Sequence, residues 1–402
     1  MWAGSCNTLL SDRSVRFYLI SQMVSLTGSW MQSVAQGWLV YRLTGSTIWL
    51  ALVAVALTMP VLLLSVAGGA VADRVDRRKL LITTQFISVL PALILGLLTE
   101  NGKVTAGWVV AMAAVLGTLN AVELPARQAL WGGMARAEKL MGALSLNAVV
   151  FNLTRIIGPL MAGLVIASWG SDACFYLNAA SYLLGGVVLM LAPSSCTQVL
   201  QNDRHGLFGD LREGFRYVAE RGELARLLVL VAAFSLFGIS FVSLLPVFAD
   251  GVLHVGPKGL GMLAAASGVG SLAAALMLAA KGELRQKGRL VVLAGLSVGL
   301  GLFLLARSEA YHESIIALLI VGAGIVSLLA LINCLLQNSC PDRLRGRIMG
   351  LYTLSLIGMA PFGHALMGLL AGVIGVAGAI LVGSSLCLAA VVLTARPISR
   401  LA

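Results

Sequence analysis

A helix needs about 20 mostly apolar residues to cross a lipid bilayer. This chain carries twelve such runs, at 17–41, 47–71, 79–99, 105–125, 141–168, 173–192, 226–248, 258–280, 289–306, 314–336, 348–371 and 375–395. Lipid offers no hydrogen bonds to a backbone, so a spanning segment must satisfy its own N–H and C=O groups. Runs of this length, with no alternating strand pattern, do so as helices. The expected fold is an all-α membrane protein of twelve transmembrane helices. Composition agrees, with 59% hydrophobic and 11% charged residues, where soluble domains carry about 25% charged. The 45 glycines suit close approach between membrane helices.

The basic residues set the expected orientation. With the N-terminus inside, 23 of the 28 Lys and Arg fall on the cytoplasmic side. Arg42, Lys103, Lys258 and Arg307 fall outside, and Arg155 stays within a helix. Cytoplasmic loops are rich in Lys and Arg, so both termini are expected inside, in a bacterial inner membrane. The same rule accounts for the net charge of +11 without nucleic acid. The first apolar run follows Arg13 and Arg16 and is long enough to be a retained helix rather than a cleaved signal.

The connection 193–225 divides the chain into two halves, 1–192 and 226–402. Within it Phe208, Leu211, Phe215 and Val218 recur at helical spacing among Asp210, Arg212, Glu213 and Arg216. That pattern predicts an amphipathic helix on the membrane surface. The six cysteines form no C-x-x-C pair and no metal-ligand spacing, so neither a metal nor a disulfide framework is expected. No Walker sequence, acid-rich D-D-x-x-D or intramembrane H-E-x-x-H occurs. ATP hydrolysis and membrane enzymology are therefore not expected, and no cofactor is implied.

The connection after the second run reads Gly69-Ala70-Val71-Ala72-Asp73-Arg74-Val75-Asp76-Arg77-Arg78. It resembles the G-x-x-x-D-R-x-x-R-R signature of the major facilitator superfamily. Pro125-Ala126-Arg127-Gln128-Ala129, after the fourth run, and Arg343-Leu344-Arg345-Gly346-Arg347-Ile348-Met349-Gly350, after the tenth, hold equivalent places in their halves. With Gly28-Ser29-Trp30-Met31-Gln32 and Gly37-Trp38-Leu39-Val40 they resemble the bacterial branch of the enterobactin exporter and the macrolide efflux proteins. The resemblance implies two pseudo-symmetric six-helix halves that rock about a midplane cavity. It also implies a conformational latch at Gly69, Asp73, Arg74, Arg77 and Arg78. Gly69 would permit tight packing at a helix end, and Asp73 would face the positive end of a neighbouring helix dipole. The second-half counterpart, Lys281-Gly282-Glu283-Leu284-Arg285-Gln286-Lys287-Gly288-Arg289, lacks the Asp-Arg pair. Gly158-Pro159-Leu160-Met161-Ala162-Gly163 is similar to the superfamily's antiporter element, with Ala162 in place of a glycine.

Polar groups inside apolar runs are costly and usually functional. Gln22, Ser25, Ser29, Gln32, Ser33 and Gln36 share one face of the first run. In the superfamily helices 1, 4, 7 and 10 line the cavity, so this stripe, with Trp30, Asn120, Asn333 and Gln337, is the expected substrate path. Hydrogen bonding between helices is the alternative. Glu123 and Arg127 stand four apart and can pair. Glu123, Arg127, Arg155 and His364 are the candidates for proton coupling, with a structural ion pair as the other reading of the first two. The expected activity is export of a small organic molecule, a siderophore or drug-like amphipath, by proton antiport, as a monomer. A lipid or lysolipid flippase and a non-transporting sensor are the alternatives.

The charge asymmetry yields a direct expectation. Reporter fusions at Ser195 and at the C-terminus should both show cytoplasmic activity; periplasmic activity from either would refute the orientation.

Overall fold

The computed structural model describes residues 12–134, 140–193, 207–281 and 286–398. Among them the long helices are α1 (Arg13–Thr44), α2 (Thr47–Arg74), α3 (Arg77–Glu100), α4 (Ala106–Met134), α5 (Leu140–Trp169), α6 (Ser171–Leu191), α7 (Leu207–Glu220), α8 (Gly222–Ala233), α9 (Gly256–Lys281), α10 (Lys287–Arg307), α11 (Tyr311–Asn338), α12 (Asp342–Thr353) and α13 (Ala360–Ile398). No strand occurs among the described residues. α8 runs on through a π-turn (Phe234–Ile239), a 3-10 stretch (Ser240–Leu244) and a second π-turn (Phe248–Val252).

Ten of the described helical segments are long and apolar enough to cross a membrane. Two features bring that number to the expected twelve. α1 carries enough Gln and Ser to fall outside the ten, although its 32 residues exceed the length required. The 56-residue segment Arg343–Ile398 holds two spans, because Gly375 breaks the helix with φ 77° and ψ 166°. That backbone region is open essentially to glycine alone, so one residue replaces a loop. Large apolar side chains face outward, Val373 at 84% and Leu393 at 80% exposed, as a lipid-facing surface requires. Local signals set the ends of α1. The Asp12 carboxylate accepts from Ser14 N–H at 2.8 Å, and Gly45, at φ 63°, closes the C-terminus by donating to the Tyr41 carbonyl at 2.7 Å.

The chain forms two compact units. The first comprises 1–45, 56–202 and 256–265, and the second 46–55, 203–255 and 266–402. Each contains a helix crossing made by reciprocal glycines. In the first, a Cβ on Gly68 of α2 would stand 2.2 Å from the Ala121 carbonyl of α4, and one on Gly117 of α4 would stand 2.5 Å from the Leu57 carbonyl of α2. In the second, a Cβ on Gly270 of α9 would stand 2.0 Å from the Leu319 carbonyl of α11, and one on Gly322 of α11 would stand 1.9 Å from the Ser267 carbonyl of α9. Ser271 Oγ adds a bond to the Gly322 carbonyl at 3.1 Å. Close backbone contact replaces the hydrophobic drive that lipid removes.

Three expectations are corrected. α4 continues past the fourth apolar run to Met134 with Pro125 inside it, so Arg127 stands on a helix and not in a loop. α12 begins at Asp342, so the Arg343–Gly350 stretch is helical as well. α7 is the amphipathic helix anticipated in the linker, yet its polar face is engaged. Glu213 pairs with Arg343 at 2.9 Å and closely with Arg347, two residues one turn apart on α12. Val218 is buried and Phe215 exposed; the Phe208 and Leu211 side chains lie outside the described residues.

Overpacking typically costs about 1–3 kcal/mol. Gly117→Leu and Gly322→Leu should therefore each lower the thermal midpoint of the detergent-solubilised protein. Gly69→Leu should not, because a Cβ there meets nothing within 4 Å. Equal midpoints for all three variants would refute the crossings.

Candidate functional site

The polar face of α1 turns into the first unit. Gln22 Nε2 donates to Tyr18 Oη at 2.6 Å. Ser21 Oγ donates to the Gly185 carbonyl at 2.8 Å. Ser25 Oγ donates to Gln85 Oε1 of α3 at 2.8 Å, and Gln85 Nε2 donates onward to Glu123 Oε1 of α4 at 3.0 Å. The same carboxylate oxygen is in close contact with the Arg127 guanidinium. One turn further along α1, Ser29 Oγ donates to the Ser25 carbonyl at 2.8 Å and lies 3.1 Å from Tyr182 Oη of α6. Gln32 Oε1 accepts from Asn178 Nδ2 at 2.6 Å, and Ser181 Oγ donates to Asn178 Oδ1 at 2.9 Å. A continuous polar network thus joins α1, α3, α4 and α6, with Gln22, Ser25 and Gln32 all below 5% exposure.

Part of the stripe expected to line a substrate path packs against protein. Gln22 and Ser25 spend their hydrogen bonds on α1 and α3, where nothing in solution reaches them. Glycine makes the approach of α6 possible, since a Cβ on Gly28 would stand 2.0 Å from Ser181 Oγ. Three residues differ in character. Gln32 Nε2 and Gln36 Nε2 are buried and have no hydrogen-bond partner among the described residues. Trp30 is half-buried and meets Phe151 of α5 edge-to-face at 5.9 Å. Asn120 is half-buried on α4, and in α11 Gln337 Nε2 donates to Asn333 Oδ1 at 2.6 Å.

Glu123, 5% exposed, is an ion-paired and hydrogen-bonded carboxylate. A buried pair held by extra hydrogen bonds is the arrangement that offsets desolvation. Arg155 is half-buried on α5. His364, on α13, bonds the Ser240 backbone and keeps a buried Nδ1 without a hydrogen-bond partner among the described residues.

The signature loop does other work than expected. The close-approach glycine is Gly68, while Gly69 is open on its Cβ side. Asp73 is exposed at the end of α2 and, among the described residues, reaches only Arg77, at 3.6 Å. Asp76 is the carboxylate at a helix N-terminus, where it caps α3 by accepting from Arg78 N–H at 2.9 Å and Lys79 N–H at 3.3 Å. Arg77 donates to the Ala129 carbonyl of α4 at 3.3 Å. Arg78 caps the end of α6: its guanidinium donates to the carbonyls of Leu189 at 3.1 Å, Met190 at 2.9 Å and Ala192. The last carbonyls of a helix lack intrahelical partners and carry negative partial charge, so a guanidinium fork suits them. Arg74 is exposed.

In the antiporter-like element Pro159 sits inside α5. A Cβ on Gly158 would stand 2.5 Å from Trp30 Cβ, and one on Gly163 would stand 2.7 Å from the Pro257 carbonyl. Both glycines are therefore packing positions of the first unit.

Gln85, Asn178, Tyr18 and Tyr182 belong to the network and were missed by the sequence reading. The signal existed. Gln85 and Asn178 are amides inside the third and sixth apolar runs, open to the same argument applied to the first and fourth.

Long apolar helices with a polar network buried among them define a multi-pass membrane protein. The family model described as transmembrane secretion effector matches residues 5–400, and the chain belongs to that family within the major facilitator superfamily, the branch its motifs resemble. It is similar to the Staphyloferrin A transporter of Staphylococcus aureus, 25% identical over 90% of each chain. It is also similar to the multidrug efflux pump Tap of Mycolicibacterium fortuitum, 27% identical over 89% of each. The crystal structure of the nucleoside transporter NupG matches 95% of this chain and 98% of its own with a TM-score of 0.72. At 11% identity that likeness shows the fold alone.

The ion pair makes a testable demand. Glu123→Gln and Arg127→Ala should each lower the yield of folded protein in the membrane, because each leaves one member of a buried pair without its partner; such losses reach about 3–5 kcal/mol. The double variant should recover part of the yield. A double variant no better than the worse single would refute the pairing role.

Proposed function

We propose that this transporter exports a small organic molecule, a siderophore or drug-like amphipath, from the cytoplasm by proton antiport. The observation that carries the reading is similarity over about nine-tenths of the chain to relatives named for a siderophore and for drug efflux. The Gly158-Pro159 element supports antiport. Alternating access of the halves 1–192 and 226–402, about the linker 193–225, would supply the cycle in a bacterial inner membrane, with both termini inside and the protein a monomer. Substrate contact falls to Gln32, Gln36 and Trp30 on α1, with Asn120, Asn333 and Gln337. The signature loop acts as a latch through Arg77 and Arg78 more than through Asp73.

Glu123 and Arg127 are the leading coupling pair. A proton on Glu123 removes the charge that holds Arg127, so proton binding shifts whatever equilibrium the pair biases. Inverted vesicles with an acidic lumen should accumulate ethidium or a radio-iron-labelled siderophore, and nigericin should abolish the accumulation. Glu123→Gln should lose driven accumulation and keep exchange at equal pH. Accumulation that survives nigericin would refute antiport, and a pumping Glu123→Gln protein would pass the coupling role to His364.

A further inference from the structure

Gln85 of α3 links the ion pair on α4 to the polar face of α1. Its Nε2 donates to Glu123 Oε1 at 3.0 Å, and its Oε1 accepts from Ser25 Oγ at 2.8 Å. Ser25, Gln85 and Glu123 are all buried, at 5% exposure or less. Chemistry sets the direction of this chain. A carboxylate has only acceptors, so it takes the amide N–H; the amide oxygen then faces Ser25, whose hydroxyl has to donate. Two glycines of α6 shape the seat. A Cβ on Gly185 would stand 3.3 Å from Gln85 Oε1, and one on Gly186 would stand 3.6 Å from Gln85 Cβ. The side chain has little room to swing aside. A half-turn of its amide needs none, because it exchanges an oxygen for an NH2 group of similar size.

Protonation of Glu123 reverses what the chain requires. The carboxyl gains one proton and becomes an O–H donor, so the Gln85 oxygen turns toward it and Nε2 turns to Ser25. Ser25 Oγ changes from donor to acceptor. Its own hydrogen passes to the Ser21 carbonyl one turn back, the kind of bond that Thr27 and Ser29 make to Met23 and Ser25 on the same helix. Both forms keep two hydrogen bonds through Gln85, and they differ in that Arg127 loses its anion. An amide with two equally bonded orientations is a two-state element that one proton biases. The other titratable groups facing the pair are Tyr18 of α1 and Tyr182 of α6. Both are neutral phenols at physiological pH, which leaves Arg127 as the charge that opposes protonation. We infer that Gln85 is a positioning residue of the coupling site, an amide switch that reverses its hydrogen bonds when Glu123 takes up a proton and so passes the protonation state to Ser25, two turns before Gln32 on α1. The inference rests on the coupling role proposed for Glu123 and adds the residue through which that role reaches the helix of the substrate contacts.

Infrared difference spectra of the purified protein in nanodiscs, recorded between acidic and neutral pH, read the switch without any substrate. The unaltered protein should show a carboxyl band and a side-chain amide band that change together, with one midpoint. Glu123→Gln should lose both changes. Gln85→Met, close in size but without polar atoms, should lose the amide change and keep the carboxyl band. Ser25→Ala, the mildest variant, should keep the carboxyl band and move the frequency of the amide band. An amide band indifferent to pH in the unaltered protein overturns the inference, and so does an amide change that persists in Glu123→Gln or in Gln85→Met. The inverted-vesicle assay separates the two claims. At matched protein amounts Gln85→Met should accumulate ethidium roughly 10- to 100-fold less than the unaltered protein, the range of one hydrogen bond to a charged group. Driven uptake equal in the two overturns the switch and leaves export standing. An unaltered protein that shows the paired bands but accumulates neither ethidium nor a radio-iron-labelled siderophore overturns antiport and leaves the switch standing.

Discussion

The bilayer supplies no hydrogen bonds, and the first unit is organised around that constraint. Every polar side chain carried into the lipid zone has to find its partner within protein. The Ser25–Gln85–Glu123–Arg127 relay answers it for α1, α3 and α4, and the Gln32–Asn178–Ser181 group answers it for α1 and α6. The relay also keeps a charged pair inside an apolar helix without leaving either member alone. The tight contact of α6 on α1 at Gly28 follows from the same need, because short hydrogen bonds between helices require backbones close together.

Glycine performs the corresponding task where backbones have to meet directly. The α2–α4 crossing in the first unit and the α9–α11 crossing in the second use the same device, one glycine on each helix set against a carbonyl of the other. That correspondence is the strongest structural sign of two related halves, for it joins equivalent spans in each. The helix ends are managed by charge instead. Asp76 caps the start of α3, Arg78 the end of α6, and Glu213 ties α7 to two arginines of α12.

Much of the fold was legible because hydropathy accumulates locally. Runs of about twenty apolar residues announce spans whatever surrounds them. The separation of the runs 348–371 and 375–395 was legible in the same way, whereas the single backbone angle at Gly375 that makes the break was not. The ion pair of Glu123 and Arg127 was legible too, since both lie on one helix and four residues is a helical turn. The contacts expected of Gly69 and Asp73 are made by their neighbours for a complementary reason. A signature gives residue types and order, but Gly68 rather than Gly69 faces α4, and Asp76 rather than Asp73 reaches a helix N-terminus. A rotation of one residue about a helix axis is about 100°, enough to exchange a packed face for an open one.

The sequence by itself determined that this chain spans a membrane as helices, roughly where each span lies, and which family it belongs to. All three rest on short-range regularities of composition, length and motif. The tertiary structure alone decided which polar residues meet. It turned the stripe on α1 toward Gln85 and Asn178 rather than into an open path. It gave Arg78 the carbonyls of α6, and it buried Gln32 against Asn178. Those outcomes depend on the rotation and crossing of helices far apart in the chain. No local pattern encodes them, because the partners are set by geometry that exists only once the helices have packed.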